Sequence, residues 1–168
     1  MAKVTTELVK QLREKSGAGV MDCRNALVET EGDHEKALQA LKERGLLKAA
    51  KTVDRVTSQG LIEAYVHPGG RIGAMVEVKC ETDFVARLEE FKNLAHCLAM
   101  QVAAMDPKYV SKDDVPAGTE VDVQQACLLD QPFIRDPGKA VRDTVIEVIA
   151  KTGENVRVTR FARFELGA

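Results

Sequence analysis

The side chains that could support catalysis or bind a metal are few and widely spaced. The three histidines of the chain are His34, His67 and His96. Cys97 is the only cysteine next to a histidine, but neighbouring residues of a helix point about 100° apart, so His96 and Cys97 are poorly placed to ligate one metal ion. The adjacent carboxylates Glu89 and Glu90 face the same objection as a catalytic pair. We therefore expect no metal, no cofactor and no catalytic residue, and keep a small metal-dependent enzyme using His96 and Cys97 as an alternative.

Signals for binding nucleotides or nucleic acids are also weak. The glycines of Gly17-Ala18-Gly19 are too closely spaced for a phosphate-binding loop and are interpreted as the end of a helix. A basic stretch contains Lys48, Lys51 and Arg55. Asp54 interrupts this stretch, and aromatic residues make up only 4% of the chain, which is little for a base-stacking surface. With a net charge of −2 as well, we expect no direct binding of nucleic acid.

One segment, Cys80–Val85, combines the start of a helix with an aromatic residue. Thr82 is a suitable N-cap, and Asp83 places a negative charge where the helix dipole favours one. On this basis the segment is ordinary core structure, a strand end that turns into a capped helix. A Phe in the first turn of a helix can also lie at the surface, where an aromatic beside an acid is a common binding wedge. The residues alone leave both interpretations of Phe84 open.

The elements that would position this segment begin with a helical unit. Helical periodicity predicts a three-helix bundle over residues 1–50, with a second helix from about Val20 to Thr30 and a third that ends at Gly45. A bundle of this size has little core and should be marginal alone. Residues 51–59 are predicted to form a polar, basic connection, and residues 60–168 a second domain.

Within residues 60–168 the pattern predicts an α+β core, a small antiparallel sheet packed on helices. Leu61–His67 and Ile72–Cys80 alternate as the two strands of a hairpin. One long helix is expected from Thr82 to Met105, with Phe84 opening its apolar stripe. Asp136-Pro137 is expected to open the next helix.

The last apolar run, from Val156 to Leu166, also alternates as a strand. Its predicted faces place Phe161 on one side and the other apolar residues on the opposite side, namely Val156, Val158, Ala162, Phe164 and Leu166. A strand that is apolar on both sides is expected to be covered on both faces. Between the long helix and this strand, residues 108–135 are predicted to be irregular, with a short helix within Val121–Leu129.

Composition and location signals place the chain among ordinary globular proteins. Of its 168 residues, 45% are hydrophobic and 30% are charged, which argues against disorder. No apolar run approaches the roughly 20 residues that span a bilayer, and the first seven residues contain no signal-peptide core. The scattered cysteines form no Cys-x-x-Cys pair and are typical of buried thiols in a reducing compartment. We expect a cytoplasmic protein without a membrane partner.

From end to end and in order, the motifs of the chain resemble those of the elongation factor Ts family. Glu81–Ala86 resembles the most specific motif of that family. The other segments that carry the resemblance are Leu8–Glu14, Ser16–Cys23, Gly60–Ile62, Arg71–Val78, Gln131–Ile134, Asp136-Pro137 and Arg160–Gly167.

The resemblance implies a guanine-nucleotide exchange factor for elongation factor Tu, the GTPase that delivers aminoacyl-tRNA to the ribosome. It implies an N-terminal bundle similar to a ubiquitin-associated domain that docks on the nucleotide domain of the GTPase, with contacts at Arg13, Val20 and Met21. The family motif that intrudes beside the nucleotide and leads to loss of the bound Mg²⁺ falls on Thr82, Asp83, Phe84 and Val85. Such a factor acts by binding and catalyses no covalent chemistry.

The length of the chain adds an expectation about its assembly. Longer members of the family carry a second core subdomain, whereas this sequence contains one set of core elements. Short members are expected to restore the missing half by self-association, so we expect a homodimer through the sheet of the core. A binding module of another kind remains an alternative, in which the bundle captures a ubiquitin-like or ribosomal partner and Thr82–Val85 is ordinary core.

Overall fold

The structure, a computed structural model, describes residues 4–167. The first three residues of the predicted bundle and the last residue of the predicted core lie outside this range. Three helices form the N-terminal part: α1 (Thr6–Ser16), α2 (Val20–Glu29) and α3 (His34–Thr52). Gly17 ends α1 with a left-handed φ of 63°, and Asp33 caps α3 by accepting the N–H groups of Glu35 and Lys36. A small apolar core of their own holds these helices together, with Leu12, Cys23, Ala26, Leu27 and Ala37 fully buried.

Helix α3 continues past the residue at which the sequence predicted its end. It runs through Gly45 to Thr52, so that prediction is wrong. Gly45 faces α7 (Val141–Thr152), and a Cβ atom built on it would lie 3.5 Å from the Cβ of Ala150 and 3.6 Å from Cγ2 of Ile146. The glycine therefore marks a close helix–helix approach, which outweighs its low helix propensity. The division of the chain at residues 51–59 stays a prediction.

A three-stranded antiparallel sheet with the order β1-β2-β5 forms the centre of the remaining chain. Its strands are β1 (Gln59–Val66), β2 (Ile72–Cys80) and β5 (Arg157–Glu165). The first two form the predicted hairpin around the turn at residues 67–71. Alternate residues of β2 point inward and are buried against the helices, namely Ala74, Val76, Val78 and Cys80. The α+β class and the small antiparallel sheet packed on helices are as predicted.

The faces of β5 differ from the prediction because the strand contains a bulge. Glu77 pairs with Arg160 and Val78 with Val158, which leaves Thr159 as an extra residue. The extra residue shifts the alternation by one, so Val158 and Phe161 both face the core. The residues left on the open face include Phe164, which is 70% exposed. The expected placement of Phe161 opposite Val158 is therefore wrong.

The single helix predicted from Thr82 to Met105 is instead two helices. A one-turn helix, α4 (Asp83–Ala86), is followed by α5 (Glu89–Met105). Between them Leu88 has an extended conformation, with φ −66° and ψ 140°, and begins a new helix that carries two acids in its first turn. The apolar stripe of α5 starts at Phe91, which is fully buried, and excludes Phe84.

Residues 106–140 cover one end of the core with short elements. They include α6 (Val123–Ala126), two 3₁₀ turns (Lys112–Asp114 and Leu128–Asp130) and a ribbon of β3 (Pro132–Phe133) and β4 (Asp136–Ala140). The segment expected to open a helix at Asp136-Pro137 is thus a strand, and α7 begins at Val141, where Asp143 accepts the N–H of Ala140 at 2.9 Å. No helix within the described residues is long and apolar enough to cross a membrane.

Candidate functional site

The segment Thr82–Val85, here called the wedge segment, projects one aromatic side chain from a buried anchor. Thr82 is the N-cap of α4, and its Oγ1 accepts the N–H of Val85 at 3.4 Å. Val85 is 7% exposed and belongs to the core, whereas Phe84 is 76% exposed. Asp83 forms an ion pair with Arg87 at 2.8 Å, in which the Arg87 side chain is largely exposed and that of Asp83 is half-exposed. Phe84 therefore lies at the surface and not in the core, and its role in binding a partner stays a prediction.

Two carboxylates cross-link the wedge segment to the connection between α7 and β5. Glu154 accepts the N–H groups of Glu81 and Thr82 at 3.1 and 3.0 Å, and the hydroxyl of Thr82 donates to it at 2.6 Å. In the opposite direction, Glu81 accepts the N–H of Asn155 at 2.6 Å. Four hydrogen bonds therefore fix the residues that immediately precede Phe84.

The connection between α7 and β5 also contacts the residues that follow α3. The side-chain amide of Asn155, which is 3% exposed, donates to the carbonyl oxygens of Val53 and Arg55 at 3.1 and 2.8 Å. The guanidinium of Arg55 lies 3.4 Å from Glu81. Residues that the sequence assigned to a loose, basic connection are thus held beside the wedge segment.

Below this turn the thiol of Cys80 is kept in its neutral form. Burial, together with the negative charge of Glu154, raises the pKa of Cys80 to about 11. The thiol donates to the carbonyl oxygen of Thr82 at 3.1 Å. A thiol of this kind is a structural donor and is a poor nucleophile at neutral pH.

The predicted contacts of the bundle lie at its surface. Val20 and Met21 are 50% and 60% exposed at the start of α2, and Arg13 is exposed near the end of α1. Asp22, in the first turn of α2, is 3.7 Å from Lys48 of α3. Lys48 also donates to the carbonyl oxygen of Ala150 in α7 at 3.4 Å, so α2, α3 and α7 are linked through one side chain.

The remaining polar candidates of the sequence have other neighbours. Nδ1 of His96 is 2.9 Å from Oε1 of Glu63, whereas Cys97 is buried. His67 contacts the hydroxyl of Tyr65 at 3.1 Å. Among residues 4–167, no three His, Cys, Asp or Glu side chains are grouped as metal ligands would be.

The open face of the sheet exposes apolar side chains that no other element covers within the described range. In the strand register, Val66, Gly73 and Phe164 lie side by side in one row, and Ala64, Met75 and Ala162 in the next. The large exposed apolar residues of this face and its edge are Ile62 (58%), Val66 (65%), Met75 (45%), Phe164 (70%) and Leu166 (65%). A patch of this kind on a small protein marks an interaction surface.

Sequence reasoning identified the wedge segment but missed what holds it. Glu154 and Asn155 follow the helix-ending Gly153, and nothing in their local pattern indicates a contact with residues 81–82. Only the pairing of β5 beside β2 brings the two turns together. The sequence therefore shows Glu154 only as a residue between a helix end and a strand, which does not identify its contact with residues 81–82.

Comparisons with known proteins all match this chain to proteins of one family. A family model described as "Elongation factor TS" matches residues 2–122. A protein named elongation factor Ts from Caldanaerobacter subterraneus is 47% identical over an alignment that covers 98% of this chain and 97% of the relative. Proteins of the same name from Thermotoga neapolitana and Carboxydothermus hydrogenoformans are 47% and 45% identical, with 98% and 89% of their lengths covered.

Proposed function

Because the chain belongs to the elongation factor Ts family, we propose that it is the guanine-nucleotide exchange factor of elongation factor Tu. In this role it binds the GDP-loaded GTPase in the cytoplasm, promotes release of Mg²⁺ and GDP, and so allows reloading with GTP during translation elongation. It acts by binding and breaks no covalent bond. The observation that carries this proposal is Phe84, an aromatic side chain held 76% exposed on a turn whose neighbours are fixed.

The proposed mechanism is one of linkage between two binding equilibria. A factor that binds the nucleotide-free GTPase more tightly than the loaded one must weaken nucleotide binding by the same factor. Each tenfold weakening requires about 1.4 kcal/mol of differential contact. The exchange factor leaves the equilibrium between GDP and GTP unchanged, and the cellular excess of GTP sets the direction.

Phe84 and Asp83 supply the differential contact in this proposal. Inserted beside the nucleotide site, Phe84 exchanges solvent for partner surface, and the desolvation of a Phe side chain contributes about 1.5–3 kcal/mol. A Mg²⁺ ion neutralises phosphate charge, so its displacement removes a large favourable interaction of the nucleotide. Thr82 and Val85 act from within this protein, as the cap and the buried anchor that hold the turn.

The N-terminal bundle provides the second contact in this proposal. Val20 and Met21 offer exposed apolar surface, and Arg13 offers a positive charge at the same end of the bundle. The packing of α3 against α7 at Gly45 connects the bundle to the core, and Lys48 adds a surface link between α2 and α7. Because the wedge segment and the start of α2 are both held in place before binding, the protein loses less conformational freedom when it binds the GTPase.

We further propose that the protein is a homodimer in which the open faces of two sheets pack together. The exposed apolar rows around Met75 and Phe164 support this arrangement, because two such faces would bury each other. Sedimentation or light scattering at micromolar concentration tests it. A mass of twice the chain is expected, and a monomeric mass would overturn the assignment.

The experiment that tests the exchange function compares the wild-type protein with the double variant Asp83→Ala/Phe84→Ala. Release of a fluorescent GDP analogue from elongation factor Tu is followed after a chase with excess unlabelled GDP. Exchange should collapse in the variant while its circular dichroism and unfolding midpoint stay close to those of the wild type, because Phe84 is largely exposed and Asp83 is half-exposed. Full exchange by the variant would show that the wedge segment is not the active element.

A further inference from the structure

A single carboxylate, that of Glu154, accepts three hydrogen bonds at the start of the wedge segment. The N–H groups of Glu81 and Thr82 converge on Oε2 of Glu154, at 3.1 and 3.0 Å. The hydroxyl of Thr82 donates to Oε1 of the same residue at 2.6 Å. An ionised carboxylate has only acceptors, so it matches three donors without leaving one unpaired.

The hydrogen bond from Thr82 to Glu154 also sets the direction of the cap. A hydroxyl group has one hydrogen to donate and two lone pairs to accept with. Because the hydrogen of Thr82 points to Glu154, a lone pair is left facing the N–H of Val85, 3.4 Å away. Glu154 thereby fixes both the backbone before Phe84 and the side chain that begins α4.

Glu154 is itself held in place by its neighbours. Gly153 ends α7 in a left-handed conformation with φ 74°, and Asn155 makes three hydrogen bonds, to Glu81, Val53 and Arg55. The residue therefore projects from a connection that is fixed on both sides. Both oxygens of its carboxylate accept hydrogen bonds from residues 81 and 82, directly before Phe84.

We propose that Glu154 is a positioning residue for nucleotide exchange, which holds Thr82 and the turn that follows so that Phe84 is presented in one orientation. This inference rests on the exchange function proposed above. A turn that is fixed before it docks loses less backbone freedom on docking, so more of the contact energy of Phe84 is available to open the nucleotide site. Glu154 thus acts on the step after encounter and leaves the first binding contact unchanged.

The test compares Glu154→Gln with the matched control Glu147→Gln. Glu147 lies on the same helix–strand unit and pairs with Lys139 at 2.6 Å, away from the wedge segment. The rate of release of the fluorescent GDP analogue is measured against the concentration of each protein. We expect Glu154→Gln to lower the maximal rate about tenfold with less than a twofold change in the half-saturating concentration, and the control to match the wild type. A wild-type maximal rate for Glu154→Gln would overturn the proposal.

A double-variant cycle separates positioning from general loss of stability. Thr82→Val removes the hydroxyl that Glu154 holds, so adding Glu154→Gln to Thr82→Val should lower the rate by clearly less than it does in the wild type. An equal loss in both backgrounds would mean that Glu154 does not act through the hydroxyl that caps α4, and would overturn the proposal.

Amide hydrogen exchange tests the hold on the turn without the GTPase. The N–H groups of Glu81 and Thr82 should lose protection in Glu154→Gln and keep it in Glu147→Gln; unchanged protection would contradict the inference. If the wild-type protein failed to accelerate GDP release, the exchange function would fall, while this readout would still decide whether Glu154 holds the wedge segment.

Discussion

Replacement of Phe84 by Ala separates binding energy from folding energy at one position. The side chain is 76% exposed, so its loss should change the free energy of unfolding by no more than about 0.5 kcal/mol. The same substitution at the fully buried Phe91 should cost about 3–5 kcal/mol. This contrast between two Phe residues seven positions apart tests the break between α4 and α5.

The loss of exchange can be worked from the same exposure. Burial of a whole Phe side chain contributes about 1.5–3 kcal/mol, so covering the exposed three quarters of Phe84 contributes about 1–2 kcal/mol. That loss lowers the exchange rate about 5- to 30-fold. The assay is release of a fluorescent GDP analogue at subsaturating exchange factor.

The control for this substitution is Val28→Ala, which truncates a 57% exposed apolar side chain at the far end of α2. It should leave the exchange rate and the unfolding midpoint close to those of the wild type. Two results would refute the reasoning on Phe84. One is an unchanged exchange rate in Phe84→Ala, and the other is a loss of stability as large as that of Phe91→Ala.

Three further predictions concern stability and assembly. Gly45→Ala should raise the free energy of unfolding by about 0.5–1 kcal/mol in urea titrations, because Ala favours the helix and its Cβ would meet Ala150 at an ordinary contact distance of 3.5 Å. A lower free energy of unfolding would contradict this, because it would mean that α3 and α7 lie too close together for a Cβ. Hydrogen bonds from Thr159 and Arg160 lower the pKa of Glu77 to about 2. A carboxyl whose pKa is lowered by folding stabilises the fold above its unfolded pKa of about 4.5 and loses this effect as pH falls towards 2. Between these pH values the free energy of unfolding should therefore fall more steeply in the wild type than in Glu77→Gln. Equal dependence on pH in the two proteins would argue against this role of Glu77. Phe164→Glu should halve the mass measured by light scattering, and a retained dimer would exclude the open sheet face as the interface.

The sequence predicted the elements that depend on local pattern. Period-2 alternation identified the hairpin of β1 and β2, and the cap at Thr82 was recognised from residue type. The predicted end of the third helix was wrong because it depends on a contact between distant residues. Gly45 looks like a helix end in isolation and is explained only by Ala150 of α7.

The same limit applies to the candidate site. The apolar spacing from Phe84 to Phe91 fits one continuous helix, and the extended Leu88 that separates them has no marker of its own. Likewise, no local signal predicts the bulge at Thr159, which reverses the faces of β5. The exposure of Phe84 therefore had to come from the structure, whereas its importance was suggested by the family resemblance.

The exchange function is decided by the rate at which elongation factor Tu releases a fluorescent GDP analogue at increasing concentrations of this protein. We expect a large acceleration that rises to a plateau, because the GTPase becomes fully bound as the concentration of this protein increases. An unchanged release rate, with folded protein and a GTPase from the same organism, would contradict it. The family membership would then describe the fold alone, and a binding module of another kind would be the better account.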